Sequence, residues 1–162
     1  METDERVAAL RTSVERFADV VAGLPEPLFL RDVGGRTPRD IVAHLIGWNW
    51  NTIEGDEQHR RGEVPAYLVD PGEDFSTVNA AAMRRYASRD RDELLGQLRD
   101  SLAALEAYLG ALPPAAWDDD HGVSYNGRPL TLARLVGTLA HDYDHHYQEI
   151  VAWPEPDGAR QH

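Results

Sequence analysis

Apolar residues recur three and four positions apart along most of the chain, the spacing that one buried helical face requires. Val7, Leu10, Val14, Phe17, Val21 and Leu24 draw the first such stripe. Thr3 stands where it can cap that helix, and Gly23 with Pro25 marks its end. A second helix opens on Thr37 as N-cap, Pro38 at the first helical position and Asp40 in the first turn, and is predicted to run to about Arg60. From Gly62 to Asp74 the helical period is lost and Pro65, Pro71 and Gly72 break the chain, which predicts a long connection.

Phe75 to Ala87 reads as a short helical piece. Asp90 and Glu93 then start a third long helix with the stripe Leu94, Leu98, Leu102, Leu105 and Leu109, stopped by Pro113 and Pro114. Between Trp117 and Leu130 the pair Asn126-Gly127 is a two-residue turn signal and predicts a small hairpin or ordered loop. Thr131 caps a last helix that continues to Trp153 and ends at Pro154. The expected fold class is therefore all-α. Residues 1–153 form a four-helix bundle with a long connection between the second and third long helices and a short hairpin-like loop before the fourth, and residues 154–162 form a loose tail.

Composition narrows the function. At 162 residues, with 42% hydrophobic and 27% charged positions, the chain can bury one substantial core. No apolar run reaches the ~18–20 residues of a membrane helix, and the acidic start METDERVAAL is unlike a signal peptide, so a cytoplasmic protein is expected. The net charge of −12, with no basic patch among aromatics, argues against nucleic acid as a partner. With no cysteine the chain supplies neither thiolate ligand nor thiol nucleophile, so any thiol chemistry needs an external thiol. Every basic side chain is arginine, a composition typical of a GC-rich genome.

Histidine carries the candidate chemistry. His141 and His145 lie four apart, one turn above each other on one helical face, where two imidazoles can reach one ion at ~2.0–2.1 Å. On a wheel of ~100° per residue, Tyr143 centres the apolar stripe of the last helix and His141 and His145 fall nearly opposite, beside Arg134, Thr138 and Gln148. The residues alone thus leave two readings open, a metal site or a polar face turned to water. His44 sits among Ile41, Val42, Leu45, Ile46 and Trp48, where an imidazole must find either a hydrogen-bond partner or a metal.

Ala43-His44-Leu45-Ile46-Gly47-Trp48 in the second helix, with His141-xxx-His145-xx-Gln148 in the last, resembles the paired signatures of the DinB/YfiT-like superfamily, and the resemblance runs from the first helix to Trp153. It implies a four-helix bundle, commonly dimeric, with one divalent metal held by His44, His141 and His145 between helices. Three histidines and a water form an open catalytic zinc site, and imidazoles also suit nickel, iron or manganese. Two features depart from the pattern: Glu149 replaces an aliphatic residue, and His146 beside His145 leaves the register open by one position, making His146 the reserve ligand. Trp48, Asn51, Tyr147 and Gln148 are candidate pocket-lining residues, Tyr143 is expected in the core, and Asp142 and Asp144 are expected as solvated carboxylates. His59, His121 and His162 match no part of the pattern and are expected at the surface.

An open metal position binds a thiol as thiolate or activates water. One branch of the superfamily is similar to mycothiol- or bacillithiol-dependent S-transferases and maleylpyruvate isomerases, and its implied cosubstrate here is a mycothiol-type thiol. Another, ClbS/DfsB-like, looks like proteins that protect a producing cell from a reactive electrophile; Thr37-Pro38-Arg39-Asp40 and Ile150-xx-Trp153 resemble it. A metal-dependent enzyme, a non-catalytic small-molecule-binding bundle and a dimeric structural partner all remain open at this level.

Overall fold

The computed structural model describes residues 2–68 and 74–154. Its helices are α1 (Thr3–Ala22), α2 (Glu26–Phe29), α3 (Pro38–Arg60), α4 (Ser76–Tyr86), α5 (Arg91–Gly110) and α6 (Leu132–Val151); strands β1 (Asp120–Tyr125) and β2 (Arg128–Thr131) precede α6. The caps fall where short polar side chains can satisfy free backbone N–H groups. Thr37 accepts from the Asp40 amide while the Asp40 carboxylate accepts from the Thr37 amide, a reciprocal capping box with Pro38 inside it. Asp90 accepts from the Glu93 amide and Thr131 from that of Arg134. At the chain start, by contrast, Glu2 occupies the cap position and Thr3 is already helical.

The four long helices close a ring in which α1 packs against α6 and α5, and α3 against α5 and α6. Their stripes meet inside it, with Leu10, Val14, Phe17 and Val21 facing Leu94, Leu98, Leu105, Val136, Leu139 and Tyr143. The fourteen residues after Gly23, read only as the end of the first helix, contain the short α2, which buries Leu28 and Phe29. Asn126 and Gly127 both have positive φ, 53° and 75°, as a two-residue antiparallel turn demands, and pair Tyr125 with Arg128. The resulting hairpin lies against α6. The expected tail from residue 155 onward, His162 and residues 69–73 of the long connection lie outside the described residues. Among the described residues no helix is long and apolar enough to cross a membrane.

A polar stripe runs down the inward side of α3. Asn49 donates to Ser101 at 2.8 Å and accepts from the buried Tyr143 hydroxyl at 2.8 Å, tying α3 to α5 and α6 through the core. Thr52 returns its hydroxyl to the Trp48 carbonyl at 2.7 Å. Asp56, with no exposed side-chain surface, receives the Arg60 guanidinium at 2.6 Å, His121 Nε2 at 3.1 Å and the Tyr108 hydroxyl. This corrects the expectation for His121, which is not a surface residue: the inward position on β1 carries its ring into contact with α3. His59, half-buried, lies against that ring with centroids 4.4 Å apart.

Gly55 is where α3 admits the buried ring of Tyr67: a Cβ there would meet Tyr67 Cε1 at 2.3 Å and Cδ1 at 2.8 Å. Alanine is the better helix former by up to ~1 kcal/mol. Overpacking a filled core costs about 1–3 kcal/mol, so Gly55→Ala is expected to lower the thermal midpoint; a raised midpoint in a melting curve would contradict this packing.

Candidate metal centre and cleft

Four positions along α6, Leu135, Leu139, Asp142 and His146, follow one another at helical spacing and turn toward α3. The first three line a cleft of about 180 Å³ together with His44, Trp48 and Thr52 of α3, Tyr67, and Phe75 and Asn79 at the start of α4. Tyr125 and Leu130 of the hairpin close one side. Beside the cleft, the His146 ring meets that of His44 edge to face, centroids 5.7 Å apart and planes at 82°.

Burial sets the charge state of both imidazoles. It lowers His44 to a pKa of about 4, helped by His146 and Arg36 and opposed by a hydrogen bond with Asn79. It also lowers His146, against the opposing pull of Glu149. Glu149 accepts a hydrogen bond from His146 Nδ1 and is itself held by Arg36 at 2.5 Å. With its proton on Nδ1, His146 keeps the Nε2 lone pair free, as a carboxylate behind a metal-ligating histidine arranges it. Burial raises Asp142, while His141 and His145 pull it down. Asp142 is thus half-buried in the cleft rather than the solvated group expected, because the preceding turns of α6 pack that side against α3 and the hairpin. Asp144 does face outward, 3.3 Å from Arg16.

The other expected site residues spread around the molecule. His141 and His145 are exposed, the His145 side chain by 62%, and neither lines the cleft. Trp48 does line it, its indole fixed by a 2.7 Å hydrogen bond to Asn79. Asn51 opens instead onto a second groove between α3 and α4, Tyr147 lies under the Arg16 guanidinium at 5.1 Å, and Gln148 is exposed. Tyr143 is in the core as expected. Among the described residues, His145, His146 and Glu149 form a group whose ligand atoms all lie within 4.8 Å of one another and which could hold an ion at the outer rim. His146 belongs to this rim group and also touches His44, which lines the cleft.

Fold and site together define a helical bundle with an imidazole- and carboxylate-bearing cleft between two of its long helices. The chain belongs to the DinB superfamily, whose family model matches residues 5–150. Solved structures share its fold. DfsB, described as a sibling lethal factor precursor, has a TM-score of 0.78 at 18% identity over 94% of this chain and 95% of that one. The mycothiol-dependent maleylpyruvate isomerase has 0.75 at 16% identity over 93% of this chain, which spans only 61% of the isomerase. The colibactin self-resistance protein ClbS, solved with a double-stranded DNA, has 0.73 at 16% identity, covering 94% of each chain. No curated protein matches the sequence at a significant level. At these identities the likeness to the solved structures is one of fold.

Proposed function

We propose that this chain is a metal-dependent DinB-type enzyme acting on a small electrophilic substrate, with a low-molecular-weight thiol of the mycothiol type as cosubstrate for S-transfer or isomerisation. The observation that carries the reading is the contact between the half-buried His44, which lines an apolar cleft, and the buried His146, both of which burial disfavours in the charged form. Their spacing of 5.7 Å is close to the roughly 5 Å between two rings that share one ion through Zn–N bonds of ~2.0–2.1 Å. Asp142, one turn before His146 and lining the cleft with His44, would be the third donor; the ligand atoms of these three do not all lie within 4.8 Å of one another, so the side chains would close on the ion as it binds.

This set replaces His141 and His145 of the resemblance by their chain neighbours and keeps His44. Two imidazoles and a carboxylate suit zinc first, with nickel, iron and manganese also compatible. The rim group of His145, His146 and Glu149 is less suitable: His145 is exposed, and Glu149 is already engaged by Arg36 and the His146 proton. A bound ion would supply Lewis acidity to the cleft. The chain's own residues do the rest. Glu149 holds the His146 tautomer, burial keeps His44 unprotonated at neutral pH, and the aromatic walls exclude water from the reacting centre.

A second reading, self-protection against a reactive natural product in the manner of ClbS and DfsB, is favoured by extent. The chain spans 95% of DfsB and 94% of ClbS against 61% of the isomerase. The two are separated by following consumption of monobromobimane with mycothiol, using protein stripped of metal and then reloaded with zinc. The thiol-transfer reading predicts conjugation above the uncatalysed rate only in the reloaded protein, and its loss in His44→Ala. Equal rates with and without zinc would overturn it and leave hydrolysis or sequestration of an electrophile.

A further inference from the structure

The walls of the cleft are aromatic and held in place. The Trp48 indole meets Phe75 with centroids 5.1 Å apart at 86° and Tyr67 at 5.6 Å and 57°, and Phe75 lies 6.4 Å from Tyr125. Two of these four rings are held in place, Trp48 by the Asn79 hydrogen bond and Tyr67 by its fit against Gly55. The space of about 180 Å³ compares with the ~150 Å³ apolar cavity that accepts benzene, so one substituted ring fits.

Among the described residues that line this slot, the carboxylate and guanidinium charge has one sign. Among the described residues, Asp142 is the only charged side chain of Asp, Glu or Arg type that lines it, and no arginine does. The chain has no lysine to extend into it. The nearby arginines are committed elsewhere. Arg36 holds Glu149, and Arg134 donates to the carbonyls of Tyr125, Arg128 and Pro129 at 2.6–2.9 Å with its guanidinium 5.8 Å from the centre of the Tyr125 ring. In the metal-free protein a carboxylate entering the slot would lose its water beside Asp142 without gaining a cationic side chain among the described residues that line it, an expensive transfer, and the net charge of −12 repels it before entry.

We propose that the cleft binds its ligand through a neutral, planar aromatic or conjugated group seated among Trp48, Phe75 and Tyr125, and that it discriminates against a carboxylate of the same shape. The proposal rests on reading this cleft as the substrate site, and it names the part of the substrate that sits among these rings: an uncharged planar group, whatever other group of the substrate an ion at His44 and Asp142 would take. Thr138, with the acceptor lone pair that remains on the Thr52 hydroxyl, supplies uncharged hydrogen-bonding groups that orient such a ligand.

The test compares 4-nitrobenzyl alcohol with 4-nitrobenzoate, one ring with and without the charge, by titrating each into the full-length protein at neutral pH. The readout is the indole N–H resonance of Trp48, assigned with Trp48→Phe. Metal-stripped protein isolates the slot from any ion. The expected result is binding of the alcohol at least about tenfold tighter than the benzoate, and reversal of that preference in Thr138→Arg, which places a cation in the slot. Equal or tighter binding of the benzoate by stripped wild-type protein overturns the proposal, as does the absence of any Trp48 shift with either compound. Neither outcome touches the metal-dependent reading, which is judged separately by zinc content and by conjugation in the reloaded protein.

Discussion

Replacing Asp56 with alanine is expected to cost about 3–5 kcal/mol of folding stability, the usual penalty for removing one partner of a buried ionic group. The carboxylate has no exposed surface and is the common acceptor for Arg60, His121 and Tyr108, which belong respectively to α3, β1 and α5. Its removal strands a buried imidazole N–H and a phenol at once, and loosens the hairpin from the bundle. For a chain of this size the loss corresponds to a fall of roughly 10 °C in the thermal midpoint; a change of under about 2 °C would show that the network contributes little.

The same group sets an acid limit. Burial alone would raise the Asp56 pKa, but hydrogen bonds from His121, Tyr108 and Arg60 outweigh it and bring it down to about 2 from an ordinary 3.8. A carboxylate whose folded pKa lies below its unfolded value binds protons preferentially in the unfolded chain. Its contribution is therefore complete above about pH 4 and is lost as pH falls toward 2. Denaturant melts should show wild type losing on the order of 2 kcal/mol more than Asp56→Asn over that window; parallel acid profiles would contradict the assignment.

The second large effect concerns the cleft. His146→Ala is expected to take bound zinc from about one equivalent to under roughly a tenth, because it removes a nitrogen whose orientation is already fixed by Glu149. His145→Ala, altering an exposed ring outside the cleft, should keep its zinc. Glu149→Gln should fall between, with ~10–100-fold weaker binding, since it removes the carboxylate that orients the ligand while leaving the ligand itself. Metal analysis after dialysis against a weak chelator reads all three. Loss of zinc in His145→Ala with retention in His146→Ala would restore the register implied by the sequence resemblance.

What the sequence disclosed and what it hid follow from the range of the forces involved. Thr37-Pro38-x-Asp40 fixes the start of α3 through bonds within one turn, and Asn126-Gly127 fixes the hairpin through two local φ angles, so both are readable in place. The leucine stripe of α5 and Tyr143 at the centre of the α6 stripe are equally local statements of amphipathicity. Which flank of α6 meets α3 is a different matter. Adjacent histidines at 145 and 146 differ by ~100° around the helix, and only the approach of α3 and the hairpin decides that Asp142 and His146 turn inward while His141 and His145 turn out.

His121 was hidden for a similar reason, since its partner Asp56 lies 65 positions earlier. One signal did exist. Asn49, Thr52 and Asp56 recur at helical spacing on the side of α3 that also carries Leu45, a polar stripe where a bundle helix ordinarily shows an apolar one. A stripe of that kind requires buried partners, and Tyr143, Ser101, Tyr108 and His121 are those partners.

The central claim is the place of the ion, and anomalous diffraction at the zinc edge from crystals of the zinc-loaded protein tests it most directly. A single peak between His44, Asp142 and His146 is the predicted result. A peak among His145, His146 and Glu149 at the rim, one at His44 with His141 and His145, or no peak at full zinc loading would contradict it.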